Sequence, residues 1–213
     1  MSSARTRHHY SGRSVTERRA ERRTLFLEAG LTVFAEKSYA ASSIAEVCTA
    51  AGLSRRQFYE QYSGREELLV DVYDEVQRRA REAFLDGLAA AGSSEPRVLI
   101  EAGMRAYVDA ITADTRCVQV AFVEIVGVSE TVERHRARVR DGWGQAIAAT
   151  AAAVPGVRTP PGGWDMAMSA FIGAVNGAVH HWSGRRPQSP VEDLLDVLST
   201  LLLALVLPAA PAD

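Results

Sequence analysis

Apolar residues recur along most of this chain every three to four positions, the period of a helix with one buried face. Phe26, Gly30, Val33 and Phe34 fall at i, i+4, i+7 and i+8. Ser14 and Glu17 make an S-x-x-E capping box ahead of them, so a first helix is expected from about Val15 to about Lys37. The stretch SIAEVCTAAGLSRRQFYEQY (43–62) breaks into two shorter pieces. Ser43 and Glu46 form a box that starts a helix at Ile44, and Gly52 ends it because glycine enters the left-handed region at little steric cost. Ser54 and Gln57 form the next box and open a second short helix. Ser63 and Glu66 suggest a fourth, leading into a long helix over about 64–91 with Leu68, Leu69, Val72, Val76, Ala80 and Phe84 inward.

Further on, Gly92-Ser93-Ser94 is a break and Pro96 suits a first helical turn. Ile100, Met104, Tyr107, Val108 and Ile111 line one face of the next helix. Asp114 caps another, in which Val118, Phe122, Ile125 and Val126 should face inward. Residues 129–153 are amphipathic, and 155–163, rich in proline and glycine, form a loop. Trp164, Met168, Phe171, Ile172, Val175 and Val179 make an apolar stripe over 164–182. Residues 187–190 turn, and 191–207 are helical and apolar on two faces until Pro208. Strand-like alternation, internal repeats and a Gly-rich nucleotide loop are all missing. The expected fold is therefore all-α, with about nine helices.

Charge changes the picture. The net charge is only −2, but residues 1–70 hold 11 Lys+Arg against 8 Asp+Glu, and the remainder 13 against 18. A basic front on an acidic back suits a chain that lays only its N-terminal part on a polyanion. The opening 1–13 lacks apolar periodicity and is expected to be a disordered basic arm. Its Arg5, Arg7 and Arg13 either reach DNA or belong to a solvated tail. Cys48 and Cys117 sit in apolar helical patterns, as reduced buried thiols rather than a disulfide framework. The start has no apolar signal segment and the longest apolar run, 201–207, is too short for a bilayer. A cytoplasmic protein with no membrane partner is expected. No nucleophile elbow, metal-ligand spacing or carboxylate pair in an apolar setting is present, so neither catalysis, a metal nor a cofactor is expected.

Residues 43–62 carry the chemistry. Two helices joined by a tight turn around Cys48, Gly52, Leu53 and Phe58 have helix-turn-helix spacing, whose second helix enters a major groove. Arg55, Arg56 and Gln57 would be its first exposed side chains. Arginine reads guanine and glutamine reads adenine at base edges. The alternative is a plain αα-hairpin with a solvated arginine face.

Over residues 18–75, and most specifically in FLEAGLTVFAEKSYAASSIAEVCTAAGLSRRQFYEQYSGREELL, the sequence resembles the TetR family of bacterial transcriptional regulators. The remainder resembles the family only in being helical with two long apolar C-terminal helices. The resemblance implies a basic arm (1–13), a three-helix DNA-binding domain (14–75), and a helical domain for ligand binding and dimerisation (76–213). It also implies a double-stranded DNA operator, a homodimer and a small-molecule effector that releases a repressor; an activator or a non-ligand-responsive regulator of the same fold is the alternative. By resemblance, Ser42 and Ser43 hold a phosphate at a helix start, Tyr59 and Gln61 reach the DNA backbone, and Arg65 makes an ionic phosphate contact. Four departures stand out: Ser38 where glycine is usual, Arg56 where glycine is frequent, Gln61 where histidine is frequent, and Gly64-Arg65 in place of the usual Ser/Asn-Lys.

For dimerisation, the helix over 164–182 has a second face of small residues (Ala170, Ala174, Gly177, Ala178), and 191–207 is apolar on two faces, Leu202 included. These two helices are the expected interface, unless both are buried in a large monomer core. For the effector, Glu124 in an apolar run is costly to bury unless paired. It is expected either to meet a ligand's amine or hydroxyl or to pair with Arg105 or Arg116. Asn176 and His180, spaced i, i+4, are candidate polar contacts, His180 alternatively an interface residue. Tyr107, Phe122, Trp143 and Trp164 are candidate aromatic walls.

Overall fold

The computed structural model describes residues 14–207, and within them every regular element is a helix. The order is α1 (Val15–Lys37), α2 (Ile44–Ala51), α3 (Arg55–Tyr59), α4 (Arg65–Ala90), α5 (Pro96–Thr112), α6 (Thr115–Gln119), a π-helical turn (Val120–Glu124), α7 (Glu130–Ala152), α8 (Gly163–Gly184) and α9 (Val191–Val206). The arm over 1–13 and Pro208 lie outside the described residues.

Local sequence explains most boundaries. Ser14 and Glu17 form a complete capping box on α1, as do Ser54 and Gln57 on α3. Gly52 ends α2 at φ 64°. Two caps differ from expectation. Ser43 caps α2 through its hydroxyl, but the Glu46 carboxylate turns to Lys37 (2.6 Å) and the Ser43 hydroxyl instead of the Ser43 amide. At α4 the partner of Ser63 is Glu67, which accepts from the Ser63 amide and hydroxyl at 2.6 and 2.8 Å. Glu66 instead accepts from the hydroxyl of Ser129, the residue that caps α7.

The larger departure lies after α6. A continuous helix would bring Val126 inward, yet Val126 is 52% exposed. The Ile125 amide bonds to the Val120 carbonyl at 3.1 Å, an i→i+5 step. That extra residue rotates the following side chains, leaving Phe122 and Ile125 buried and Val126 outside.

A single apolar cluster runs through the molecule, from Phe26 and Phe34 on α1 to Leu202 and Val206 on α9. In the head, Phe26 meets Phe58 (5.4 Å, T-shaped) and Tyr62 (6.0 Å) edge-on. Tyr62 donates to Asp71, which also holds Arg23, so α1, α3 and α4 are locked together. The boundary expected at residue 75 falls inside α4, whose buried side runs without interruption from Leu68 through Tyr73 and Val76 to Phe84.

Ser38, at the C-cap of α1, has φ 70° and ψ 153°, a region nearly reserved for glycine. A non-glycine residue there costs on the order of 1–3 kcal/mol. The bond from the Ala41 amide to Ser38 Oγ, at 3.3 Å, returns only part of this. Ser38→Gly should therefore raise stability by about 1 kcal/mol after glycine's greater unfolded-state freedom is subtracted. A thermal melt should shift upward by roughly 2–4 °C; an unchanged or lower midpoint would show that the turn is not strained.

Candidate nucleic-acid interface and body cavity

The short helix α3 presents its first turn to solvent because the rest of it is anchored. Phe58 is fully buried and Leu53 packs against the core, leaving the opposite side of α3 uncovered. Arg55 is exposed and makes no hydrogen bond or ion pair among the described residues. Arg56 is 89% exposed along its side chain and reaches Glu60 at 3.3 Å, a solvated i,i+4 pair of little worth. Tyr59 is 59% exposed, with its ring edge against Phe58. These three side chains are free to meet a groove.

The other candidates are placed differently. Gln57 uses its Oε1 to accept from the Ser54 amide (2.9 Å) and hydroxyl (2.8 Å). Bidentate reading of adenine needs both ends of the amide, so only the Gln57 NH2 is left to offer a base. Ser42 is buried: its hydroxyl donates to the Tyr39 carbonyl and accepts from Arg65. Arg65 is half-buried, donates to the carbonyls of Tyr39 and Ser42, and lies over the Tyr39 ring at 4.9 Å. Both side chains buttress the turn between α1 and α2 instead of pointing outward. Gln61 is tied to α1, donating to the Arg19 carbonyl at 2.8 Å and accepting from its guanidinium at 3.4 Å. Ser43 is occupied as the cap of α2, whose N-terminal amides remain the anion-facing feature there.

In the body, four of the expected effector residues converge. Tyr107, Phe122, Trp143 and Asn176 line a narrow cavity of about 40 Å³ between α4, α5, α7 and α8, with Tyr73, Gln77, Phe84, Met104, Arg140, Ile147, Phe171, Ile172 and Val175. The Trp143 indole donates to Gln77 Oε1 at 2.9 Å, and its ring meets Tyr107 edge-on at 5.6 Å. Burial pushes the Tyr73 phenol up to about 12, against the opposing pull of the Arg136 and Arg140 charges. Burial raises Tyr107 as well, so both phenols remain neutral donors at physiological pH. Asn176 donates to the Ile172 carbonyl, leaving its side-chain oxygen for the cavity.

Three expected residues lie elsewhere. Trp164 packs against the core at the start of α8 but does not line the cavity. His180 is on the exposed side of α8, its Nδ1 3.3 Å from the Phe122 carbonyl. Glu124 meets neither ligand space nor Arg105 or Arg116. Its carboxylate accepts from the Tyr39 amide at 2.7 Å and from Gln119 Nε2 at 2.8 Å. Arg116 pairs with Asp114 (2.6 Å) and Glu28 (2.8 Å) and bonds to Thr32. The π-helical turn thus holds the α1–α2 turn of the head directly, while two residues earlier Phe122 lines the cavity.

Gln77 and Arg140 were not foreseen as cavity residues. The available signal was periodic: Arg136, Arg140, Trp143 and Ile147 fall at i, i+4, i+7 and i+11, so a buried tryptophan shares its helix face with two arginines. A second chamber of about 360 Å³, almost wholly apolar, lies beyond, between the far ends of α4, α5, α7 and α9; Phe84 and Ile147 line both spaces.

The outer side of α8 is bare. Ala170, Gly173 and Gly177 are exposed, and a Cβ on Gly173 or Gly177 would meet nothing within 4 Å. Met166 is 69% exposed at one end of this stripe, and on α9 Val197 and Leu201 are 51% and 38% exposed. Leu202, by contrast, is buried in its own subunit's core, so the outward apolar side of α9 belongs to its neighbours. No helix among the described residues is long and apolar enough to cross a membrane.

Comparison with known proteins gives a consistent picture. Residues 26–72 match the sequence profile described as bacterial regulatory proteins, tetR family. No curated protein sequence matches the chain. Among solved structures, the fatty acid degradation regulator FadR from Bacillus halodurans superposes with a TM-score of 0.72 at 14% identity, over 85% of this chain and 94% of that one. FadR from Bacillus subtilis, solved in complex with stearoyl-CoA, gives 0.70 at 13% identity over 85% and 97%. A transcriptional regulator from Rhodococcus sp. Rha1 gives 0.68 at 18% over 88% and 99%. At these identities the likeness is one of fold.

Proposed function

From residues 26–72, which match the profile of bacterial regulatory proteins of the tetR family, and from a fold shared with such regulators, we propose that the protein is a homodimeric TetR-type repressor that a small molecule releases from its operator. The observation that carries the reading is the pairing of two features on one continuous apolar core. An uncovered side of α3 bears Arg55, Arg56 and Tyr59, and a cavity in the body is joined to that head by α4 and by the short segment Phe122 to Glu124. On this reading Arg55 and Arg56 read base edges, Gln57 adds a single donor, Tyr59 bonds a phosphate, and the free amides at the start of α2 hold another. Ser42, Gln61 and Arg65 act by shaping the head.

A second copy covers the bare stripe of α8 and the outward side of α9. Two heads then meet successive grooves of a near-palindrome, and a change in their separation loses one set of contacts. That FadR from Bacillus subtilis, of the same fold, was solved in complex with stearoyl-CoA supports a small-molecule effector here. Ligand-linked release requires a difference in effector affinity between the two head arrangements, and operator DNA must weaken effector binding by the same factor.

The first experiment is a gel shift against DNA upstream of the protein's own gene and of its neighbours. On the operator so found, Arg55→Ala should relax preference at particular base pairs by roughly 1–3 kcal/mol. Tyr59→Phe should weaken all sequences alike and leave the salt slope unchanged, since no charge is removed. Arg65→Ala should lower the melting temperature because it strips the α1–α2 turn of its buttress. Titrations over a salt series separate these cases; a uniform loss from Arg55→Ala would remove it as a base reader.

A further inference from the structure

Resting on the reading of the cavity as an effector site, we infer that the effector is an amphipathic acid, its carboxylate held by Arg140 and its aliphatic chain passing Phe84 and Ile147 into the apolar chamber. Arg140 is half-buried on α7 and lines the narrow cavity; its charge acts on Glu133 and Tyr73, yet no hydrogen bond or ion pair holds it among the described residues. Its neighbour one turn earlier, Arg136, is by contrast paired to Glu133 at 2.7 Å. A guanidinium against an apolar cavity with its fork unused is suited to a planar oxyanion, which it binds bidentately. The other polar groups at this end have donors to offer. Gln77 spends its oxygen on Trp143 and keeps its NH2. The Tyr107 phenol has no hydrogen-bond partner among the described residues and stays protonated.

The two spaces differ in the way such a molecule requires. The cavity at Arg140 has about 40 Å³, enough for a small head group in place of a few waters. The chamber beyond has about 360 Å³, walled by Leu88, Leu99, Val154 and similar residues. That volume lies within the roughly 300–1,000 Å³ of small-molecule pockets. No carboxylate lines either space, so an amine-bearing ligand would find no counter-charge. Glu124, expected from sequence either to meet a ligand's amine or hydroxyl or to form an ion pair, is committed to the Tyr39 amide and to Gln119.

The test is calorimetric titration of the full chain with hexanoate, octanoate, decanoate, 1-decanol, decylamine and decanoyl-CoA. Operator release is measured in parallel. Decanoate should bind at least tenfold tighter than 1-decanol and decylamine, and each methylene removed should weaken binding by about fourfold (about 0.8 kcal/mol). Arg140→Gln should erase the advantage of decanoate over 1-decanol without changing 1-decanol affinity or the melting temperature, and Arg140→Lys should keep part of it. Ala151→Phe, which fills the chamber, should weaken decanoate more than hexanoate. Equal affinity of the acid and the alcohol, no binding of alkanoates, or binding of decanoyl-CoA but not decanoate would each overturn the inference. Alkanoates that bind as expected but leave the operator complex intact uphold the acid site and refute the ligand-released reading. Release by a neutral or cationic compound while alkanoates fail to bind does the reverse.

Discussion

A Gly177→Arg variant should be a folded monomer that has lost specific operator binding. Gly177 lies on the bare side of α8, where an added Cβ meets nothing within 4 Å, so the arginine finds room in the isolated subunit. The helix itself gains, because an interior glycine costs roughly 0.5–1 kcal/mol relative to alanine. Across a two-fold axis, however, the same substitution places two guanidinium groups on facing stripes of Ala170, Ala174 and Gly177, where like charges meet with no acceptor. Losing one of two half-site contacts removes the gain from linked binding, which commonly spans roughly 10²–10⁴ in affinity. Sedimentation, melting and operator titration should together report a monomer of near-native stability with operator affinity down by about a thousandfold on that estimate. A dimeric variant, or a wild type that is monomeric at micromolar concentration, would refute the assigned interface. Leu202→Asp would not serve, since Leu202 faces its own core and the change would test folding instead.

The second large effect is expected from Glu124→Ala. The wild-type carboxylate accepts from the Tyr39 amide across the junction between body and head. A hydrogen bond to a charged group contributes about 1.5–3 kcal/mol, and the Tyr39 amide is left without this partner when it is removed. Melting should fall by roughly 2–4 °C per kcal/mol lost. The informative readouts are two others. Effector affinity should be unchanged, because Glu124 does not line the cavity. The effector's power to release operator should fall about tenfold, because the connection from Phe122 to the α1–α2 turn is cut; that corresponds to about 1.4 kcal/mol of coupling. Weakened effector binding would return Glu124 to the ligand site, and undiminished release would move the coupling to another route, such as tilting of α4.

The contrast between these expectations and the sequence shows what a pattern conveys. Helix positions, the glycine at the end of α2, the anchoring of Phe58 and the small-residue stripe of α8 are all written in local chemistry and periodicity, and the structure follows them. The strain at Ser38 was legible because a single residue type stood where the backbone asks for another. The roles of Glu124, Arg65 and Gln61 were not legible, because each depends on a carbonyl or amide from a distant element. Backbone groups look alike in every residue, so no side-chain pattern announces that Tyr39 offers its amide to a carboxylate 85 positions later. The π-helical turn was hidden for a related reason: Val120–Glu124 is compatible with an ordinary helix, and only packing selects the extra residue. Arg140 was obscured by the arginine-rich surface pattern of its own helix.

The unbroken core along α4 has a consequence for how such a protein can be recombined. A cut at residue 75 would sever a helix between Tyr73 and Val76, both buried, and would leave each half with an open apolar face. The head is therefore not a cassette. A chimera that exchanges bodies under one head must carry α4 whole. It must also bring the segment from Asp114 to Ser129, whose Arg116, Glu124 and Ser129 grip Glu28, Tyr39 and Glu66 from the other side. The unit of exchange is a three-dimensional seam drawn from two distant stretches of sequence, which keeps the head's grip on the body intact.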